Sequence, residues 1–216
     1  MGKNRFELQL DELHVEMIKM GALCEEAITY AIQMFFENDA KTLEIVRNKE
    51  IEIDRKEQEI ESLCMRLLLK QQPVARDLRI ISSTLRIISD MERIGDQALD
   101  IAEITGLPTY LIENNRLHIQ EMAKETIQMV TKSIDAFVKN DLTLIEEVKE
   151  NDDVLDELFR QIKNELIALI GEDKYQGEFY LDMLMIAKYL ERIGDHATNI
   201  VEWVEYSILG HRGKGI

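Results

Sequence analysis

The chain contains one phrase twice, and that repeat limits what it can fold into. Glu92-Arg93-Ile94-Gly95-Asp96 returns as Glu191-Arg192-Ile193-Gly194-Asp195. Both copies continue with alanine, isoleucine and glutamate at the same spacings: Ala98, Ile101 and Glu103, then Ala197, Ile200 and Glu202. Sliding the chain against itself by 102 residues extends the match upstream. Met20 falls on Met122, Ile32 on Ile134, Phe35 on Phe137, Val46 on Val148, Asp54 on Asp156 and Leu67 on Leu169. For the final segment the offset is 99, so the connection before it is shorter in the second copy. Such a chain is two copies of one unit, stacked.

The unit is helical. Val46, Ile53, Ile60 and Leu67 recur at heptad spacing, and no alternating stretch argues for a strand. Asn38-Asp39 breaks the first periodic run, with Asp39 placed as an N-cap, and Gln71-Gln72-Pro73 ends the second. The first copy therefore predicts helices over about 6–36, Asp39 to Gln71 and 74–103, with Thr105-Gly106-Leu107-Pro108 as linker. The second predicts helices over about 115–140, 141–170 and 177–209. The fold class is all-α: six long helices in two pseudo-symmetric antiparallel three-helix bundles, residues 1–106 and 107–216.

The repeated unit also concentrates acid. On the third helix Ile87, Met91, Ile94, Ala98 and Ile101 form an apolar stripe, and Glu92, Asp96 and Glu103 lie on the other side, roughly 160–200° away. That second side begins apolar, with Leu78, Ile81, Leu85 and Ile88, which predicts that it starts buried. The last helix repeats the pattern: Tyr180, Leu184 and Ala187 give way to Glu191, Asp195 and Glu202. The second helix of each copy adds an i, i+4 acid pair at the edge of its apolar face, Glu50/Asp54 and Asp152/Asp156. On an exposed helix such a pair costs only about 0.2–0.5 kcal/mol. Partly buried together, four carboxylates repel strongly unless they bind protons or a cation. All-oxygen donors suit hard cations such as Mg, Ca, Mn and ferric iron, and bridging carboxylates can hold several ions. The plain alternative is a solvated acidic face. Arg93 and Arg192 read as partners of nearby acids, and Gly95 and Gly194 as points where another helix or a ligand comes close.

The formal charge of −16 disfavours nucleic acid and anionic lipid as direct partners, and favours cations or basic protein surfaces. Cys24 and Cys64 are the only cysteines and fit a reducing cytosol. No apolar run reaches membrane-span length and no leader is evident, so the expectation is a cytoplasmic protein that meets membranes only through partners. His14, His118, His196 and His211 all lack a glutamate three residues earlier, against a ferritin-like di-iron enzyme. His196, next to Asp195, could serve as a peripheral ligand, and reads more simply as solvent-facing or as a support for Asp195. No phosphate loop and no nucleophile–base grouping is present, so no catalytic residue is assigned. Met17, Met20, Met91, Met122 and Met183 lie on core stripes.

At these residues the chain resembles the PhoU family, accessory regulators of bacterial phosphate uptake. The resemblance rests on the doubled Glu-Arg-Ile-Gly-Asp, on Gln71-Gln72-Pro73-Val74-Ala75-Arg76-Asp77-Leu78-Arg79, and on Arg5-Phe6 followed by Leu10, Leu13, Met20 and Gly21. It covers about 5–210 of the chain. It implies multinuclear metal sites, iron or zinc foremost, with Mg, Mn and Ca as further candidates. Carried onto this chain, the ligands are Glu50/Asp54 with Glu92/Asp96, and Asp152/Asp156 with Glu191/Asp195. It implies a non-enzymatic regulator, a homodimer, that restrains the phosphate-starvation response by linking the phosphate ABC transporter ATPase to a phosphate-sensing histidine kinase. Arg76, Asp77 and Arg79 are candidates for a partner surface. Asn199 stands where the first copy has Asp100, which predicts sites of unequal charge. The competing reading is a helical metal-storage or metal-dependent hydrolytic protein.

Overall fold

A computed structural model describes residues 5–37, 39–71, 74–104, 118–172 and 176–211. These residues form six helices: α1 (Arg5–Glu37), α2 (Ala40–Gln71), α3 (Ala75–Glu103), α4 (Ile119–Lys139), α5 (Leu142–Glu172) and α6 (Gly177–Leu209). No strand occurs among them. The linker expected at Thr105–Pro108, and with it the boundary at 106/107, lies outside the described residues.

The helix boundaries have local causes. The Asp39 side chain accepts the Lys41 N–H at 3.2 Å and its carbonyl accepts the Thr42 N–H at 2.9 Å, so Asp39 caps α2. Asp141 does the same for α5, accepting the Thr143 N–H at 2.8 Å. Before it, Asn140 ends α4 in the left-handed region at φ 51°. Asp141→Ala is expected to cost about 1 kcal/mol. Scanning calorimetry should register a drop of roughly 2–4 °C.

Each repeat packs its three helices on one another, and two contacts join the repeats: α3 against α6 and α1 against α4. Helices α2, α3, α6 and α5 thus form a layer. On one side α1 lies in the α2/α3 groove and α4 in the α5/α6 groove. Apolar side chains from all six helices form one cluster, including Met20, Ile53, Met91, Val148 and Ile193. Cys24, Cys64 and the five stripe methionines are buried in it.

The mid-helix glycines mark close helix crossings, not ligand contacts. A Cβ on Gly95 would stand 3.0 Å from Ile53 Cδ1 and 3.3 Å from its Cγ2. A Cβ on Gly194 would overlap a Leu155 methyl. The α3/α2 and α6/α5 pairs therefore cross at equivalent points of the two repeats.

One expectation fails at the start of α3. Leu78 was expected to be buried with Ile81 and Ile88, yet it is 44% exposed. It lies on the helix's first turn.

Candidate functional site: two carboxylate clusters

The crossings set the sites. With Ile53 against Gly95, Glu50 and Asp54 of α2 look across at Glu92 and Asp96 of α3, on the side turned away from α1. The four act on one another. Burial first, then repulsion from Asp54, Asp96 and Glu92, raises the Glu50 carboxyl above its ordinary pKa. Burial and Asp96 raise Asp54. Burial and Asp96 raise Glu92, against an attraction to Arg93. The second repeat is arranged alike. Burial raises Asp152, with repulsion from Asp156 and Glu191, and burial raises Asp195, with repulsion from Glu191 and Asp152.

Glu57 belongs to the first cluster and was missed in the sequence. Burial, then Asp54, raises its carboxyl too. It sits three residues beyond Asp54, on the same edge of α2, but its counterpart in the second repeat is Phe159. A search for repeated acids passes over it.

The clusters differ in what offsets their charge. Arg93 Nη1 donates to Asp96 Oδ2 at 3.0 Å, and its Nε lies 3.4 Å from Glu92 Oε2. Arg192 instead acts across the α3/α6 seam, where it attracts Asp100. In the second repeat Lys188 pairs with Glu191, and Thr198 Oγ1 donates to Asp152 Oδ1 at 3.2 Å. Ser89 and Leu99 occupy those two positions in the first repeat, so it has neither contact.

Between the clusters the seam carries a contact that the sequence did not signal. His196 Nδ1 of α6 lies 2.9 Å from Asp90 Oδ1 of α3, and Asn199 Nδ2 donates to the same oxygen at 3.4 Å. His196 therefore ties the repeats together and does not face open solvent. Its counterpart in the first repeat is Gln97, 5% exposed, whose Oε1 has no hydrogen bond.

The donor chemistry suits a hard cation. Half-buried carboxylate oxygens from two facing helices outnumber the cationic side chains beside them, and no thiol competes. Burial pushes both cysteine thiols up, Cys64 to about 12. In the present rotamers no three Asp, Glu, His or Cys side chains among the described residues converge closely enough to hold an ion. Occupancy would require side-chain rotation about fixed helices.

The raised carboxyls set the sign of a pH effect. A group whose folded pKa lies above its unfolded value gives most stability when protonated, and that stability is lost as pH rises through the folded value. Two groups work the other way. Glu16, held down by hydrogen bonds from Lys19 and Lys56, does so below the ordinary carboxylate range. His14, whose protonated form burial disfavours, does so below its ordinary 6.5, one group against the several raised carboxyls. In chelated buffer the melting temperature is therefore expected to rise as pH falls from about 8 to about 5. A steady decline over that interval would contradict the clustering.

No helix among the described residues is long and apolar enough to cross a membrane. Two segments, residues 17–105 and 119–204, match the PhoU domain family. The chain is 38% identical over 212 residues to the phosphate-specific transport system accessory protein PhoU homolog of Clostridium acetobutylicum, covering 97% of each. It is 36% identical to the homolog of that name from Synechocystis, covering 97% of this chain and 94% of that one. The crystal structure of PhoU from Pseudomonas aeruginosa matches with a TM-score of 0.86 at 30% identity, over 96% of this chain and all of that one. The phosphate transport system regulatory protein PhoU from Streptococcus pneumoniae gives the same TM-score at 26% identity, over 98% and 100%.

Proposed function

Because the chain belongs to the PhoU family of phosphate-transport accessory proteins, we propose that it restrains phosphate uptake and the starvation response by linking a phosphate ABC transporter's ATPase to a phosphate-sensing histidine kinase. The observation that carries the reading is the end-to-end match to relatives named for that transport system. Both repeats and nearly the full length of each relative take part, so the likeness is to the whole accessory protein.

Within that role the two carboxylate clusters are proposed cation sites. Glu50, Asp54, Glu92 and Asp96 would hold one set, and Asp152, Asp156, Glu191 and Asp195 the other. What supports this is charge. Each cluster gathers acids whose ionised forms burial and mutual repulsion disfavour. A bound cation would remove that cost and lock α2 to α3 and α5 to α6. Iron or zinc would serve, and so would Mg, Mn or Ca. Glu57 and Asp100 have no acidic counterparts in the second repeat, so the first site would carry the larger negative charge and take ions more tightly or in greater number.

Purified chain mixed with the transporter ATPase, and separately with the kinase, is expected to form a complex with each, and to sediment as a homodimer when alone. Failure to bind either partner would overturn the linking role. Turnover of phosphoesters by metal-loaded protein would favour the hydrolytic reading instead.

A further inference from the structure

The α5/α6 groove changes character along its length on the side turned away from α4. One end carries the second carboxylate cluster. The other carries Phe159, Lys163 and Ile167 from α5 and Leu181, Met185 and Lys188 from α6. Ile167 is 61% exposed, Leu181 60% and Met185 42%. Lys188 Nζ sits 5.6 Å from the centre of the Phe159 ring, which fixes how the two stripes face each other. Lys163 has no ion pair or hydrogen bond among the described residues.

The repeat supplies an internal control. The six equivalent positions in the first half are Glu57, Glu61, Met65, Ser82, Arg86 and Ser89. Only Met65 keeps the apolar character. The fold therefore does not require an apolar surface with lysines at this place, and the second half has acquired one that the first lacks.

We propose that this end of the α5/α6 groove docks an amphipathic helix of a partner protein, with an apolar stripe flanked by Asp and Glu. The shape argues for a helix. Two long antiparallel helices already accept a third, α4, in the groove on their opposite side, and a guest on this side would be seated in the same way. The apolar length from Phe159 to Ile167 spans about 12 Å, so two to three turns of guest helix fill it. The charge argues for acid. In a chain of net charge −16, Lys163 has no acidic partner among the described residues, and Lys188, which pairs with Glu191, keeps a side chain 43% exposed beside the apolar strip; the two complement carboxylates on both flanks of a guest. A basic helix would instead be drawn toward the carboxylate end. The proposal stands on this groove and is independent of the kinase link; because Lys188 pairs with Glu191, one of the proposed cation ligands, the titration is run in chelated buffer.

The test uses a synthetic, fluorescently labelled peptide of about 18 residues, with leucines at i, i+4, i+7 and i+11 and glutamates flanking them. Its control carries lysines in place of the glutamates. Anisotropy titration against the full chain is expected to show saturable, salt-sensitive binding of the acidic peptide alone. Leu181→Glu and Lys163→Glu should each weaken it by about tenfold or more. Ser82→Glu, at the first-repeat position of Leu181, should leave it unchanged. All three sites are on the surface, and circular dichroism melts check that the variants fold. Equal binding of the two peptides, no binding, or indifference to Leu181→Glu would overturn the proposal. So would a wild-type dimer that Leu181→Glu turns into a monomer, because the groove would then belong to a second copy of the chain.

Discussion

Gly95→Val is expected to destabilise the protein by about 2–3 kcal/mol, by overpacking the α2/α3 crossing. The first added carbon already meets Ile53 Cδ1 at 3.0 Å, Cγ2 at 3.3 Å and Cβ at 3.6 Å. Isoleucine branches at Cβ, so it cannot swing all three atoms aside by changing one rotamer. Valine adds two further methyl groups to the same buried place. Gly95→Ala separates the effects. Its single methyl presses on Ile53, while alanine recovers about 1 kcal/mol of helix propensity, and the two nearly cancel. For a chain of this length the valine variant should melt roughly 5–10 °C lower. Combining it with Ile53→Ala should cost less than the sum of the single changes, since the clash disappears. A valine variant within about 0.5 kcal/mol of wild type would mean that the helices part more easily than their packing implies.

The second large effect is cation linkage. A cation present at about a hundred times its dissociation constant should add about 2.7 kcal/mol, or roughly 5–10 °C in melting temperature. The diagnostic is a change of sign. In chelated buffer, Asp54→Asn and Glu92→Gln each remove a carboxylate that its neighbours repel, so each should stabilise, by about 0.2–0.5 kcal/mol per like-charged neighbour. With the cation present the same variants lose a ligand and should melt below wild type. Elemental analysis should show that they lose the first repeat's ions and keep those held by Asp152, Asp156, Glu191 and Asp195. A cation-induced shift identical in wild type and variants would refute the assignment.

Much of this was legible in the residues. The doubled phrase gave the two-fold plan, and Asp39 placed the start of α2 because capping acts within a few residues. The acid pairs could be placed on facing edges because helical period alone sets their angle. What escaped depends on register between helices far apart in sequence. Nothing in the period of α3 or α6 says that residue 90 meets residue 196, so the Asp90–His196 contact was invisible. Gly95 was legible as a close approach but not as one to Ile53. The apolar run through Leu78 predicted burial, yet amphipathic spacing cannot tell where a neighbouring helix stops covering a face. Glu57 was hidden by the use of the repeat itself as a filter, since the two halves have diverged there.

The seam between α3 and α6 has a further consequence. Severing the chain between residues 105 and 117 would leave two pieces, each with a raw apolar flank matched only by the other. Such pieces would be expected to find each other and rebuild the whole without a covalent tether. For the same reason the intact protein should melt in a single step, and an ion captured on one flank would slow the opening of the other.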